Sequence, residues 1–281
     1  SLMDANVLRY SAFTTDPAGG NPAGVVLDAR SLSDADMQRI AADVGYSETA
    51  FLSPREDGTF DARYFSPLTE VPFCGHATIA ASVAHAVTYG AGEKVLHTRA
   101  GRVRVDVDEQ SRATLTSVEP RVAALADDDL ERLLAALRWR RDDLNPALPP
   151  AVAYAGAWHP IIAAATRDRL ARLDYDFDAL ADLMARCGWT TVNLIWREDG
   201  QTFHARNPFP PGGVVEDPAT GAAAAALGAY LDSRDALPAQ RRLLVRQGDD
   251  LGRPSRIEVA VPADLREGVR VSGRAVKIES V

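Results

Sequence analysis

The sequence predicts an α+β fold of two pseudo-symmetric domains, each a mostly antiparallel sheet rolled around one central helix. Three observations carry this. The first is a half-repeat. Ala62-Arg63 and Cys74 of ARYFSPLTEVPFCGHATIAAS have counterparts half a chain later, at Ala205-Arg206 and Asp217 of ARNPFPPGGVVEDPATGAAAAALGAYL, with the same spacing from Arg to thiol or acid. Each copy reads as a short strand, a Pro/Gly-bearing loop, a thiol or acid, and a helix of small residues. Second, those helices, with Ala80-Ala81 and Ala222–Ala226, are apolar on all sides, as befits a helix wrapped by strands. Third, the rest of each half is a run of strands about one such helix, which favours α+β over a parallel sheet. The 281 residues suffice for two domains of roughly 140, each able to bury a core. We place the domains at 1–120 and 121–281, with the C-terminal strand packing on the first.

The elements follow in order. Leu8, Tyr10 and Ala12 alternate with polar neighbours, and Gly24-Val25-Val26-Leu27 follows the turn GGNP, so both read as strands. SLSDADMQRIAADVGY is a helix: Ser33 suits the N-cap, Asp34 and Asp36 the first turn, and Gly45 the stop. AFLSP and FDARYFS are strands, GHATIAASVAHAVTYG is the first central helix ending near Gly90, and KVLHTRAG, RVRVDVD and RATLTSV are strands joined by hairpin turns. Asp127 to Trp139 is an amphipathic, charge-rich helix. The Pro-rich RRDDLNPALPP, Arg140–Pro150, is an alternative place for the domain boundary. AVAYA and PIIAAAT are strands, Phe177–Cys187 is a helix stopped by Gly188, and TTVNLIW and QTFHARN are strands. The Ala-rich second central helix follows Asp217, and LLVRQG, RIEVAV and VRVSGRAVKI close the chain.

Composition narrows the function. The net charge is −8 and no basic block occurs, so nucleic acid and anionic membranes are not expected partners. Two cysteines, Cys74 and Cys187, cannot frame a disulfide-rich domain and fit a reducing cytoplasm. No apolar run reaches the ~18 residues of a membrane span, and the N-terminus has no signal-peptide pattern. Ser1-Leu2 before Met3 reads as a cloning remnant. His85, His97, His159 and His204 have no companions at metal-ligand spacing and read as structural, and no metal is expected. Dinucleotide, P-loop and nucleophile-elbow motifs are absent.

Three motifs remain. Cys74-Gly75-His76 puts a thiol just before a helix N-terminus, where the dipole and free N–H groups favour the thiolate, and Gly75 lets those N–H groups approach a ligand. By itself the tripeptide equally fits a buried structural cysteine before a turn glycine. In Glu216-Asp217-Pro218-Ala219-Thr220-Gly221, Asp217 and Thr220 can be plain helix caps, or Asp217 can face Cys74 across a cleft while N–H groups from Ala219 to Gly221 hold a carboxylate. Glu48 of GYSETAFLS follows a helix stop. It can be a solvated surface acid, or, lining a cleft, a general acid/base.

GGNPAGVVLD, GYSETAFL, RYFSPLTEVPFCGHATIAA, VEDPATGAAAAALGAYL and QGDDLGRPSRIEV occur in the order seen in the phenazine-biosynthesis PhzF-like family, which the chain resembles over nearly its whole length. The resemblance implies the diaminopimelate epimerase-like fold and cofactor-independent isomerisation of a small carboxylate-bearing substrate in an interdomain cleft. Glu48 would shuttle the proton, and His76 and Asp217 would assist. Gly75, Ala219, Thr220 and Gly221 would bind the carboxylate, and no metal or cofactor is implied. Two opposed cysteines serve the racemases of this fold. Here one position is Cys74, and the half-repeat matches the other to Asp217. An amino-acid epimerase using Cys74 with Asp217 or Glu48 is the alternative enzyme, and a non-catalytic small-molecule binding protein is the third reading. Where some relatives carry Ser after the glycine of the EDP motif, this chain has Ala222. The resemblance also implies a homodimer. Asp127–Trp139 and Trp158 are candidates for its interface.

Overall fold

The structure, a computed structural model, describes residues 6–279, so Ser1-Leu2 and Met3 lie outside the described residues. The chain divides into two compact units, Ser1–Thr116 with Ser272–Val281, and Ser117–Val271. The Arg140–Pro150 stretch lies inside the second.

In the first unit β1 (Leu8–Ala12) pairs antiparallel with β2 (Asn21–Val26), and α1 (Asp34–Val44) crosses over to β3 (Thr49–Pro54), parallel to β2. β4 (Phe60–Phe65) returns antiparallel to β3, and β5 (Glu70–Val71) folds back on it. Then α2 (Gly75–Tyr89) crosses to β6 (Gly92–Thr98), parallel to β4, and hairpins add β7 (Gly101–Val107) and β8 (Arg112–Thr116). The final strand β17 (Arg270–Lys277) pairs with both β1 and β8. The sheet therefore closes on itself, and α2 packs against β1, β2, β3, β7 and β8. Its residues from His76 to Ala84 are all buried, which explains why it carries alanines where a surface helix would carry charges. α1 is the outer helix. Ser33 accepts from Asp36 N–H while Asp36 accepts from Ser33 N–H, and Gly45 ends it at φ 77°. Its apolar face, Met37, Ile40 and Ala41, covers Val26, Phe51 and Phe65.

The second unit repeats this plan with more helix. β9 (Arg121–Ala124) leads through α3 (Asp127–Leu137) to β10 (Ala151–Tyr154), which pairs with β9 and with β11 (Trp158–Ala163). α4 (Arg167–Ala171) and α5 (Phe177–Cys187) cross over to β12 (Asn193–Arg197), parallel to β11. β13 (Thr202–Phe209) and β14 (Val214–Asp217) follow antiparallel. α6 (Gly221–Ser233) crosses to β15 (Arg242–Gln247), parallel to β13, and β16 (Ser255–Ala260) follows. α6 packs on β9, β10, β11 and β16. At Gly228 a Cβ would lie 2.7 Å from Val261 Cγ2 and 3.1 Å from Val259 Cγ1, so only glycine allows this approach. α3 stops at Leu137, short of the expected Trp139, because Arg138 turns left-handed at φ 61°. Trp158 is half-buried, with Tyr154 against it and Arg121 over both rings.

Strand register gives the repeat its true alignment. Leu52↔Ala62 and Pro54↔Phe60 recur in the second unit as Ile195↔Ala205 and Arg197↔Phe203, at the offset that relates Ala62 to Ala205. Beyond the next turn the offset changes. Phe65 faces Glu70, whereas its counterpart Pro208 faces Glu216, further along the chain than that offset would place it. The extra three residues form the 3-10 turn Pro210–Gly212, next to an irregularity at Pro208/Phe209. Both central helices keep the new offset: N-caps Cys74 and Thr220, first helical residues Gly75 and Gly221. The match of Cys74 to Asp217 is thereby corrected. Thr220 occupies the Cys74 position, and Asp217 corresponds to Val71 in β5.

Candidate active site

In the first unit three chemistry-bearing residues meet where α1 ends and α2 begins. The left-handed turn at Gly45 leads into β3, and Gly24 N–H donates to the Glu48 carbonyl at 3.3 Å, which fixes the backbone there. The Glu48 carboxylate accepts from Ser47 Oγ at 2.5 Å, and His76 Nε2 lies 3.4 Å from both Ser47 Oγ and Glu48 Oε2. Cys74 Sγ lies beside the same ring, 3.3 Å from His76 Nδ1 and 3.9 Å from Nε2. Cys74 and His76 are buried and Glu48 nearly so.

Donor and acceptor roles follow from this chain. With its hydroxyl proton on Glu48, Ser47 Oγ is an acceptor for a His76 Nε2–H. The arrangement places Ser47 and His76 against the Glu48 carboxylate, with the Cys74 thiol beside the imidazole. Ligating atoms of Glu48, Cys74 and His76 also lie within 4.8 Å of one another. Sequence spacing concealed this because Glu48 comes from a different element.

The backbone below is held by a second relay. Tyr64 Oη and Thr78 Oγ1 are 2.6 Å apart, and Thr78 Oγ1 donates to the Cys74 carbonyl at 2.7 Å. Burial pushes the Tyr64 phenol well above its usual range, and the nearby Cys74 adds to the shift. Cys74 makes no side-chain cap, so the first-turn N–H groups of Gly75, His76 and Ala77 precede the first intrahelical bond, Thr78 N–H to Cys74 O. A Cβ at Gly75 would meet nothing within 4 Å, leaving the backbone open to a ligand.

In the second unit Asp217 ends β14, and Pro218-Ala219-Thr220 leads into α6. Thr220 Oγ1 donates to Asp217 Oδ2 at 2.6 Å. Gln247, at the end of β15, locks the loop. Its Oε1 accepts from Thr220 N–H at 3.0 Å, and its Nε2 donates to the Asp217 carbonyl at 2.9 Å and to Thr220 Oγ1 at 3.0 Å. Ser255 Oγ donates to Gln247 O at 2.9 Å. With its hydroxyl so engaged, Thr220 does not cap α6, whose first turn presents backbone N–H groups as α2 does. Gly248 sits at φ 84°, and a Cβ there would strike Arg253 O at 2.2 Å and Pro218 O at 2.8 Å, so this turn requires glycine.

The two copies differ at the positions that carry chemistry. Glu48 corresponds to Thr191, Cys74 to Thr220 and His76 to Ala222. Thr191 Oγ1 is bound by His159 Nδ1 and Asn207 Nδ2, each at 2.9 Å. The second copy thus carries no ionisable group at any position of the Glu48–His76–Cys74 set. One device is shared: Arg63 pairs with Glu70 and Arg206 with Glu216, each through two nitrogens, bracing the strand before each helix.

Glu48, Cys74 and His76 are therefore brought together in one unit, and Asp217, Ala219, Thr220 and Gly221 in the other. Sequence reasoning missed Ser47, the Tyr64–Thr78 relay and Gln247. Ser47 was adjacent to a candidate acid, and Gln247 ends an apolar strand with an amide, which were the available signals. His85 packs edge-on to Phe60 and His204 bonds Glu198 at 2.8 Å, both structural placements. Cys187 lies on α5, packed against the second unit's core.

Residues 10–280 match the model of the PhzC-PhzF family, phenazine biosynthesis-like protein. The chain is 35% identical over 286 residues to an uncharacterized isomerase, YddE, of Escherichia coli K12, covering 98% of this chain and 96% of that one. It is 30% identical over 281 residues to the trans-2,3-dihydro-3-hydroxyanthranilate isomerase of Pseudomonas fluorescens, covering 96% of each. Among solved structures, a Bacillus anthracis phenazine biosynthesis protein of the PhzF family superposes with a TM-score of 0.86 at 27% identity, covering 97% of this chain and 96% of that one.

Proposed function

The chain belongs to the phenazine biosynthesis-like protein family and is an isomerase, and we propose that it moves a proton on a small carboxylate-bearing substrate with Glu48 as the single acid/base. The observation that supports this is the asymmetry of the repeat: a carboxylate joined to imidazole and thiol in one unit, and Thr191, Thr220 and Ala222 in the other. A mechanism with two opposed thiols needs a second ionisable group at the Thr220 position. A one-base shuttle does not.

In this reading the Glu48 carboxylate takes a proton from a substrate carbon, and the freed electron pair moves into the adjoining π-system. The resulting carboxylic acid exchanges with solvent and delivers a proton to a different carbon. Atoms and electrons balance within the substrate, with no net oxidation, so no redox partner enters. His76 and Ser47 hydrogen-bond the carboxylate when it is charged and hold its position when it is neutral. First-turn N–H groups of α2 bind the substrate's carboxylate. The reading includes a cytoplasmic homodimer. The substrate of the Pseudomonas relative makes a cyclic amino-diene acid the first compound to try.

The test is hydrogen exchange in D2O, followed by NMR, with trans-2,3-dihydro-3-hydroxyanthranilate, diaminopimelate and common amino acids. Deuterium incorporation should fall about 10²–10⁴-fold in Glu48→Gln and persist in Cys74→Ala. Incorporation with inversion at one carbon that disappears in Cys74→Ala would replace this reading with the epimerase.

A further inference from the structure

We propose that Glu48, Cys74 and His76 form a binding site for a thiophilic divalent cation, Zn²⁺, and that its occupancy switches the isomerase off. The donor set is one thiol sulfur, one imidazole nitrogen and one carboxylate oxygen, the types zinc selects. Zn–S of ~2.3 Å and Zn–N or Zn–O of ~2.0–2.1 Å at tetrahedral angles place the donor atoms about 3.3–3.6 Å apart. Here His76 Nε2 is 3.4 Å from Glu48 Oε2 and 3.9 Å from Cys74 Sγ, and all three ligating atoms lie within 4.8 Å of one another. Loading then requires the His76 ring and the Cys74 side chain to turn, so that the Nε2 lone pair and the sulfur point at one ion.

Three protein ligands leave a fourth position for water, the layout of a readily loaded zinc site rather than a closed structural one. Ser47 Oγ, hydrogen-bonded to Glu48, is placed to orient the ligating carboxylate, as outer-shell partners do. The ligands come from the residue before β3, the N-cap of α2 and its first turn. The second unit has Thr191, Thr220 and Ala222 at the same places and offers no competing set.

The consequence for activity follows from the ligands themselves. A carboxylate bonded to Zn²⁺ has its lone pair engaged and cannot accept a carbon-bound proton, and the imidazole and thiol are withdrawn from the same chain. Binding does not depend on the isomerase reading; inhibition rests on it, and the two are separable by experiment.

Co²⁺ and Zn²⁺ are titrated into the full chain. We expect one equivalent of Co²⁺ to produce a near-ultraviolet thiolate-to-cobalt charge-transfer band that Zn²⁺ abolishes. The band should be absent in Cys74→Ser and unchanged in Cys187→Ser. Zn²⁺ affinity by calorimetry should drop at least about tenfold in Glu48→Gln, without loss of the folded state by circular dichroism. A band that survives in Cys74→Ser, or disappears in Cys187→Ser, overturns the site, as does a Glu48→Gln affinity equal to wild type. If the site loads as described yet exchange activity on an identified substrate is unaffected, the site stands and the inhibition falls, together with the role of Glu48.

Discussion

The repeated Arg–Glu pair provides an internal comparison of one interaction in two environments. In the second unit Arg206 and Glu216 side chains are 9% and 2% exposed, and two bonds of 2.9 and 2.8 Å join them. In the first unit Arg63 and Glu70 are 24% and 18% exposed, and Arg63 also reaches Asp34 at 2.7 Å. Two unit charges ~4 Å apart attract by about 4 kcal/mol at an effective dielectric of ~20, and by about 1 kcal/mol in water. Glu216→Gln leaves a buried guanidinium with the Asp250 carboxylate at 3.9 Å and the carbonyls of Ala171 at 2.9 Å and Leu170 at 3.3 Å as compensation, so the loss is set at the low end of the range for a broken buried pair, about 3 kcal/mol. Glu70→Gln leaves Arg63 on Asp34 near solvent and costs about 0.5 kcal/mol. The assay is urea unfolding at pH 7. All four tryptophans, at 139, 158, 189 and 196, lie in the second unit, so fluorescence reads Glu216→Gln directly, while far-ultraviolet circular dichroism is needed for Glu70→Gln. With a slope of ~2 kcal/mol/M, Glu216→Gln shifts the midpoint down by about 1.5 M. Equal costs in the two units, or a loss below about 1 kcal/mol for Glu216→Gln, would refute the burial reasoning. Arg63 lowers the Glu70 pKa. The contribution of that pair is therefore present above the unfolded carboxylate's pKa and is lost as pH falls through the lower folded value.

Two further outcomes follow from buried groups. Burial brings the His159 pKa down to about 4, so the folded state holds it neutral where the unfolded chain, at ~6.5, takes up a proton. Stability is full above pH ~6.5 and declines by up to about 3 kcal/mol as pH falls toward 4. In His159→Gln the slope of unfolding free energy against pH should flatten in that window, and an unchanged slope would show that His159 is not the titrating group. Gly248→Ala forces a Cβ onto Arg253 O and Pro218 O at a left-handed position, at a cost of about 2 kcal/mol. The melting temperature should drop by about 5 °C, and a change under a degree would mean the loop gives way freely.

Local signals survived into the structure wherever their physics is local. Ser33, Gly45 and Gly188 delimit helices because capping and left-handed geometry involve only neighbouring residues. The two small-residue helices are buried because a helix enclosed by strands has no room for longer side chains, and this too is written in composition. Short elements such as β5, β14 and α4 escaped, since a few residues of strand or helix are stabilised by their partners rather than by pattern. The half-repeat was visible, but its alignment was drawn through matching reactive residues. Only hydrogen-bond register showed that three residues enter at the Pro210–Gly212 turn, which makes Thr220 the counterpart of Cys74. The sequence by itself determined the two-part α+β plan, the caps of α1 and α5, and the identity of Glu48, Cys74, His76 and Asp217 as candidates. Tertiary structure alone decided which of them touch. Glu48 meets His76 through the packing of β3 beside α2, a contact between segments distant in the chain that no spacing rule encodes.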